Sequence, residues 1–123
     1  MLHHASLPVS DLGRASALYD AALAPLGYRR VASSEMFSGY GVEDGRDMFA
    51  LMQVTPSVAA GPGFHLAFAA PSRSAVDQFH HAALCHGARD NGAPGLRPHY
   101  GPTYYAAFIL DLDGHRIEVV YNA

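Results

Sequence analysis

The chain has 123 residues, half of them hydrophobic and 15% charged, with a formal net charge of −3. That is enough to bury a core without disulfides, and it offers no basic surface for nucleic acid and no apolar run long enough to span a bilayer. The single Cys85 suits a reducing compartment, and no basic segment followed by an apolar stretch marks a signal peptide, so the expectation is a cytoplasmic protein.

A strand is predicted over Leu2–Val9, then a helix over Asp11–Ala24 with Ser10 as its N-cap. Leu12, Ala15, Leu18, Tyr19, Ala22 and Leu23 recur at helical spacing, and Pro25 with Gly27 ends the run. Three short strands follow over Tyr28–Ala32, Met36–Val42 and Met48–Val54, with Glu43-Asp44-Gly45-Arg46 turning between the last two. After a connector, Thr55–Gly63, the order restarts with a strand over Phe64–Ala70. A helix capped by Ser72 then runs through Val76, Phe79, Ala83 and Leu84 to Gly87. A short extended piece near Arg89 leads into Asn91–Pro102, whose three glycines and three prolines read as a loop. Strands over Thr103–Leu112 and His115–Asn122 close the chain, and Asp113-Gly114 reads as a two-residue hairpin turn.

The two halves echo each other. His4 stands six residues before Ser10 and His65 seven before Ser72, while Ala21-Ala22-Leu23 and Gly27 recur as Ala82-Ala83-Leu84 and Gly87. The expected fold is α+β, two tandem β-α-β-β-β modules in one domain. Module one covers about 1–55, the connector about 55–63 and module two about 64–123.

Three polar residues sit oddly in apolar strands: His4, His65 in Gly63-Phe64-His65-Leu66, and Glu118 between Ile117 and Val119. A carboxylate in that setting needs a partner, and two imidazoles with one carboxylate are the ingredients of an open metal site. Strand alternation supports the grouping. Phe64, Leu66 and Phe68 form the face that a helix covers, so His65 looks the other way, and His4 likewise opposes Ala5, Leu7 and Val9. A two-residue turn would set Leu110 opposite Ile117 and Ile109 opposite Glu118, which gives Tyr105 the face of Glu118. Repeat symmetry suggests Gln53 as the counterpart of Glu118 and a further metal ligand. The segment Arg97–Tyr105 is the expected source of substrate contacts, with His99, Tyr100 and Tyr105 as the residues singled out.

The segments His3-His4-Ala5-Ser6-Leu7-Pro8-Val9-Ser10-Asp11-Leu12, Gly63-Phe64-His65-Leu66-Ala67-Phe68 and Leu110-Asp111-Leu112-Asp113-Gly114-His115-Arg116-Ile117-Glu118 together resemble the vicinal oxygen chelate superfamily. Its members include glyoxalase I, bleomycin and fosfomycin resistance proteins and extradiol dioxygenases. The resemblance implies sheets curled into a half-open cup, often completed in a homodimer, with one divalent ion (Fe, Mn, Zn or Ni) held by His4, His65 and Glu118. Glyoxalase I enzymes carry a second Glu at the position matched here to Gln53, and a neutral amide cannot act as that base. The functional expectation is a metal-dependent lyase, isomerase or dioxygenase that chelates a small oxygen-bearing substrate. The alternative is a non-catalytic small-molecule or antibiotic binding protein of the bleomycin resistance type.

Overall fold

The computed structural model of the chain describes residues 1–56 and 59–123, so part of the expected connector, residues 57 and 58, lies outside it. Module one runs β1 (Ala5–Val9), α1 (Leu12–Leu23), one 3-10 turn (Ala24–Leu26), β2 (Arg29–Ser33), β3 (Phe37–Gly41) and β4 (Phe49–Gln53). Module two repeats the order with β5 (Leu66–Ala69), α2 (Arg73–Cys85), β6 (Arg89–Leu96), β7 (Tyr104–Leu110) and β8 (Arg116–Asn122). Each module makes a four-stranded sheet in which the first strand pairs in parallel with the last, in the orders β1-β4-β3-β2 and β5-β8-β7-β6. The expected α+β class and paired β-α-β-β-β modules are what the chain adopts.

The helices explain why one face of each sheet is apolar. Leu18, Tyr19, Ala22 and Leu23 of α1 and Val76, Phe79 and Ala83 of α2 are almost fully buried. They pack in one cluster with Leu7, Val9, Phe49, Leu51, Ile109, Ile117 and Val119. Phe49 meets Phe68 edge-on at 5.0 Å between ring centroids, joining the two modules. Among the described residues no helix is long and apolar enough to cross a membrane.

The last hairpin also ties the modules together. Asp113 Oδ1 accepts from both the amide (2.9 Å) and the hydroxyl (2.7 Å) of Ser10, and His115 Nε2 donates to the Pro8 carbonyl at 2.7 Å. Ser10 is therefore not the N-cap of α1. Asp11 has that role, accepting from Arg14 N at 3.1 Å, while Ser72 caps α2 as expected, accepting from Ala75 N at 3.1 Å. Asp and Ser are equally good caps, and Ser10 is already committed to Asp113.

Two further expectations fail. The first half of the segment read as loop, Asn91–Leu96, is strand, because β6 extends to Leu96. As an edge strand it tolerates Pro94, and its register against β7 slips between Asp90 and Gly92 and again between Gly92 and Gly95. The second failure is the turn between β7 and β8. Asp111 N donates to His115 O at 3.1 Å and Gly114 N to Asp111 O at 3.0 Å, leaving Leu112, Asp113 and Gly114 as a three-residue loop. Gly114 takes φ +85°, the left-handed position that such a loop ends on. The register is Leu110↔Arg116, Ile109↔Ile117 and Phe108↔Glu118, one residue away from that of a two-residue turn. A shift of one exchanges the faces of β7.

Candidate functional site

The exchange of faces decides which side chains meet. Glu118 opposes Phe108 across β7–β8 and Ala67 across β5–β8, so Tyr104, Ala106 and Phe108 share its uncovered face with Arg116. Tyr105, Ala107 and Ile109 look toward α2. The Tyr105 hydroxyl donates to Asp77 Oδ1 at 2.7 Å, and the Arg73 guanidinium lies 5.1 Å from its ring centroid. Tyr105 is therefore turned away from Glu118, contrary to expectation, and Tyr104 stands in its place.

Glu118 is 3% exposed, and both of its oxygens are engaged. Oε1 lies 3.2 Å from His65 Nε2, and Oε2 accepts the Tyr104 hydroxyl in a short hydrogen bond. Burial and the adjacent Glu118 carboxylate push the Tyr104 phenol up to about 12, so it stays protonated and donating at neutral pH. His65 directly precedes β5 and keeps its side chain 54% exposed, open to a ligand. His65, Glu118, Tyr104, Tyr100, Phe108, Asn91 and Arg116 surround a hollow of about 300 Å³. Tyr100 enters this wall through the Tyr104 ring, 5.3 Å between centroids, and His99 stacks behind Tyr100 at 4.2 Å.

His65 and Glu118 fit a divalent ion. An imidazole nitrogen and a carboxylate oxygen 3.2 Å apart have the separation that two ligands of one first-row ion keep at bonds of about 2.1 Å. The Tyr104 hydrogen bond is the kind of outer support that ligating carboxylates carry. The remaining expected ligands are elsewhere. His4 directly precedes β1, lies against His3 with 2.9 Å between Nδ1 atoms, and lines a different hollow of about 190 Å³ with Met48, Ala67 and Ala69. Among the described residues no three histidine, cysteine, aspartate or glutamate side chains gather around one point.

Gln53 is not the counterpart of Glu118. It pairs with buried Val9, on the covered side of its sheet. Its Oε1 accepts from Leu12 N at 2.9 Å, and its Nε2 donates to Ser10 O at 2.7 Å and Thr55 Oγ1 at 3.0 Å. The amide thus closes the start of α1, where a helix leaves backbone N–H groups unpaired. Matching Ala5↔Phe49 with Leu66↔Ile117 makes Ala50 the true equivalent of Glu118, and Ala50 faces Gly39 as Glu118 faces Phe108. Asp47 lies across Gly39, where a Cβ would stand 2.7 Å from the Asp47 Cβ, so glycine is required there by close approach.

Tyr104, Phe108, Asn91 and Arg116 were missed from sequence, and the signal for three of them was present. Asp111-Leu112-Asp113-Gly114 has Asp at the first and Gly at the last position of a type I turn. Reading it as a three-residue loop puts Tyr104, Phe108 and Arg116 beside Glu118.

The family model for the glyoxalase/bleomycin resistance protein/dioxygenase superfamily matches residues 1–119. A glyoxalase/bleomycin resistance protein from Albidiferax ferrireducens T118 is 28% identical, with a TM-score of 0.86 over 100% of this chain and 99% of its own. A glyoxalase/bleomycin resistance protein/dioxygenase family enzyme from Burkholderia phytofirmans PsJN is similar at 20% identity, TM-score 0.72, over 100% of both chains. The fosfomycin resistance protein FosX from Mesorhizobium loti is similar at 20% identity, TM-score 0.71, over 100% of this chain and 92% of its own. These last two likenesses speak for the fold alone. No curated protein sequence matches the chain significantly. On the repeat, the paired sheets and a match that reaches residue 119, the chain belongs to the glyoxalase/bleomycin resistance protein/dioxygenase superfamily.

Proposed function

We propose that the chain is a divalent-metal-dependent enzyme that acts on a small oxygen-bearing substrate, and that it works as a homodimer in which His4 of one copy joins His65 and Glu118 of the other. The observation that carries this reading is the pair His65–Glu118, 3.2 Å apart on an uncovered sheet face, with the second carboxylate oxygen held by Tyr104. Once bound, an ion such as Fe(II), Mn(II), Zn(II) or Ni(II), all of which accept nitrogen and oxygen ligands, supplies a Lewis acid for two neighbouring substrate oxygens.

The protein's own residues have separable tasks. Tyr104 fixes the orientation of the Glu118 carboxylate through its hydroxyl. Tyr100 and Phe108 wall the hollow and limit water on the substrate's apolar side. Neither Gln53 nor Tyr105 belongs to this machinery, since both side chains are committed to helix ends and faces.

Two observations favour a site made by two copies. His4 is remote from the three-ligand geometry within one chain. The uncovered face of the first sheet, near His4, leaves Met48 50% and Met52 39% exposed, apolar area of the kind a partner covers.

Elemental analysis of the purified protein beside Glu118→Ala and His65→Ala tests the reading. About one ion per chain in the parent, lost in both variants, is expected. A parent that takes up none of the four metals on reconstitution contradicts it. The second reading, a binding protein without catalysis, draws on the lack of three converging ligands in one chain. Under it, Glu118→Gln leaves ligand binding unchanged and independent of metal.

A further inference from the structure

Arg116 and Glu118 stand two residues apart on β8, so their side chains leave the same face of the sheet. No ion pair joins them; the two oxygens of Glu118 are engaged instead by His65 and Tyr104. The Arg116 guanidinium makes no hydrogen bond or ion pair among the described residues. All eight basic residues of the chain are arginine. Arg29, Arg30 and Arg46 pair with carboxylates, Arg73 lies over Tyr105, and Arg97 bonds two carbonyls beneath Phe108. Arg116 is thus an uncommitted fork of donors at the hollow that holds the proposed metal pair.

The lining of that hollow adds to the argument. Glu118 is its one acidic member, and Arg97 brings a second guanidinium to 5.4 Å from the Phe108 ring centroid, at the back of the wall. In a chain whose net charge is −3, Arg116 thus balances Glu118 in the lining itself, with the Arg97 charge behind the Phe108 ring. The planar guanidinium offers paired N–H donors that match the two oxygens of a carboxylate or phosphonate. Asn91, also in the lining, carries an amide that can donate beside it.

We propose that the hollow binds small molecules bearing an anionic oxygen group, a carboxylate, phosphonate or phosphate, with Arg116 as the residue that holds the anion. This rests on the enzyme reading above and narrows it. The substrate presents an oxyanion to Arg116, its metal-directed oxygens toward His65 and Glu118, and its apolar part to Tyr100 and Phe108. Arg116 is a binding residue and takes no part in bond making.

The test uses the full chain as purified, with metal content recorded, at constant ionic strength so that screening is equal throughout. Calorimetric titrations with methylphosphonate, and with catechol as an uncharged probe, compare the parent with Arg116→Gln, Arg116→Lys and Arg89→Gln. Methylphosphonate should bind the parent and weaken at least about tenfold in Arg116→Gln, as for loss of a charged hydrogen bond. Arg116→Lys, which keeps the charge but loses the fork, should fall between, and Arg89→Gln should match the parent. Catechol binding and metal content should be the same in all four proteins. Absence of methylphosphonate binding to the parent, equal affinity in Arg116→Gln, or a parallel loss of catechol binding would overturn the inference. A parent that takes up no metal on reconstitution yet binds methylphosphonate through Arg116 would sink the metal reading and leave this one standing.

Discussion

Replacing Asp111 by alanine should cost more stability than any surface change, although the residue is far from the hollow. The carboxylate is 5% exposed, and Oδ2 accepts the Tyr19 hydroxyl at 2.7 Å, while Oδ1 accepts Asp113 N at 3.0 Å and His115 N at 2.9 Å. Tyr19 is 0% exposed, so the truncation strands a buried hydroxyl at a cost of about 1–3 kcal/mol. The two turn amides each lose roughly 0.5–1.5 kcal/mol, in part recovered from water at Asp113, which is half-buried, and not at His115, which is buried. The sum is about 2–5 kcal/mol, a large share of a typical domain's stability, and a melting point lower by on the order of 10 °C. The same bonds hold the three-residue loop that aligns Tyr104 with Glu118. Urea denaturation followed by circular dichroism, with Tyr19→Phe and the double variant completing a cycle, measures both the loss and the coupling. A loss below about 1 kcal/mol, or no coupling between the two positions, would refute the reasoning.

Other consequences follow from the same geometry. Burial is the largest influence on Asp111 and raises its carboxyl pKa in the folded chain, against the lowering by Tyr19 and His115. A raised folded value means the native state binds the extra proton, so this group's contribution is fully present below the ordinary carboxylate pKa and lost as pH rises through the raised one. Asp111→Asn should therefore remove a stretch of falling stability from the acid side of the parent's pH profile, and superimposable slopes would contradict this. Tyr104→Phe should weaken metal affinity about 10–100-fold by freeing the Glu118 carboxylate, whereas Tyr105→Phe should leave it unchanged; competition with a chelator reads both. Gln53→Ala should lower stability by about 1 kcal/mol, as for a lost helix cap, with metal content intact, and loss of metal would restore Gln53 to the site.

What could be read from the sequence was order and pattern. The periodicity of α1 and α2, the repeated opening strands and the odd polar residues at His65 and Glu118 are local signals, and they survive folding because the apolar faces require them. Register was harder. Asp111-Leu112-Asp113-Gly114-His115 supports both a two-residue turn at Asp113-Gly114 and a three-residue loop, and the choice depends on Asp111 finding Tyr19, 92 residues away. That one residue of slip exchanged Tyr104 for Tyr105. Gln53 was misplaced because counting along β4 from its end ignored the parallel pairing with β1, which makes Ala50 the equivalent position. The Ser10–Asp113 contact was invisible for the same reason, since it joins residues 103 apart in sequence.

The central claim is that His4 and the pair His65–Glu118 complete one site across two copies of the chain. Mixing the His4→Ala and Glu118→Ala proteins under conditions of subunit exchange, then measuring bound metal in the recovered dimers, tests it most directly. Each variant alone should hold no ion. In a mixed dimer both lesions fall in one of the two sites and the other is whole, so metal should return to about one ion per mixed dimer. Mixed dimers as empty as their parents, or a parent that is monomeric and fully loaded, would contradict the account.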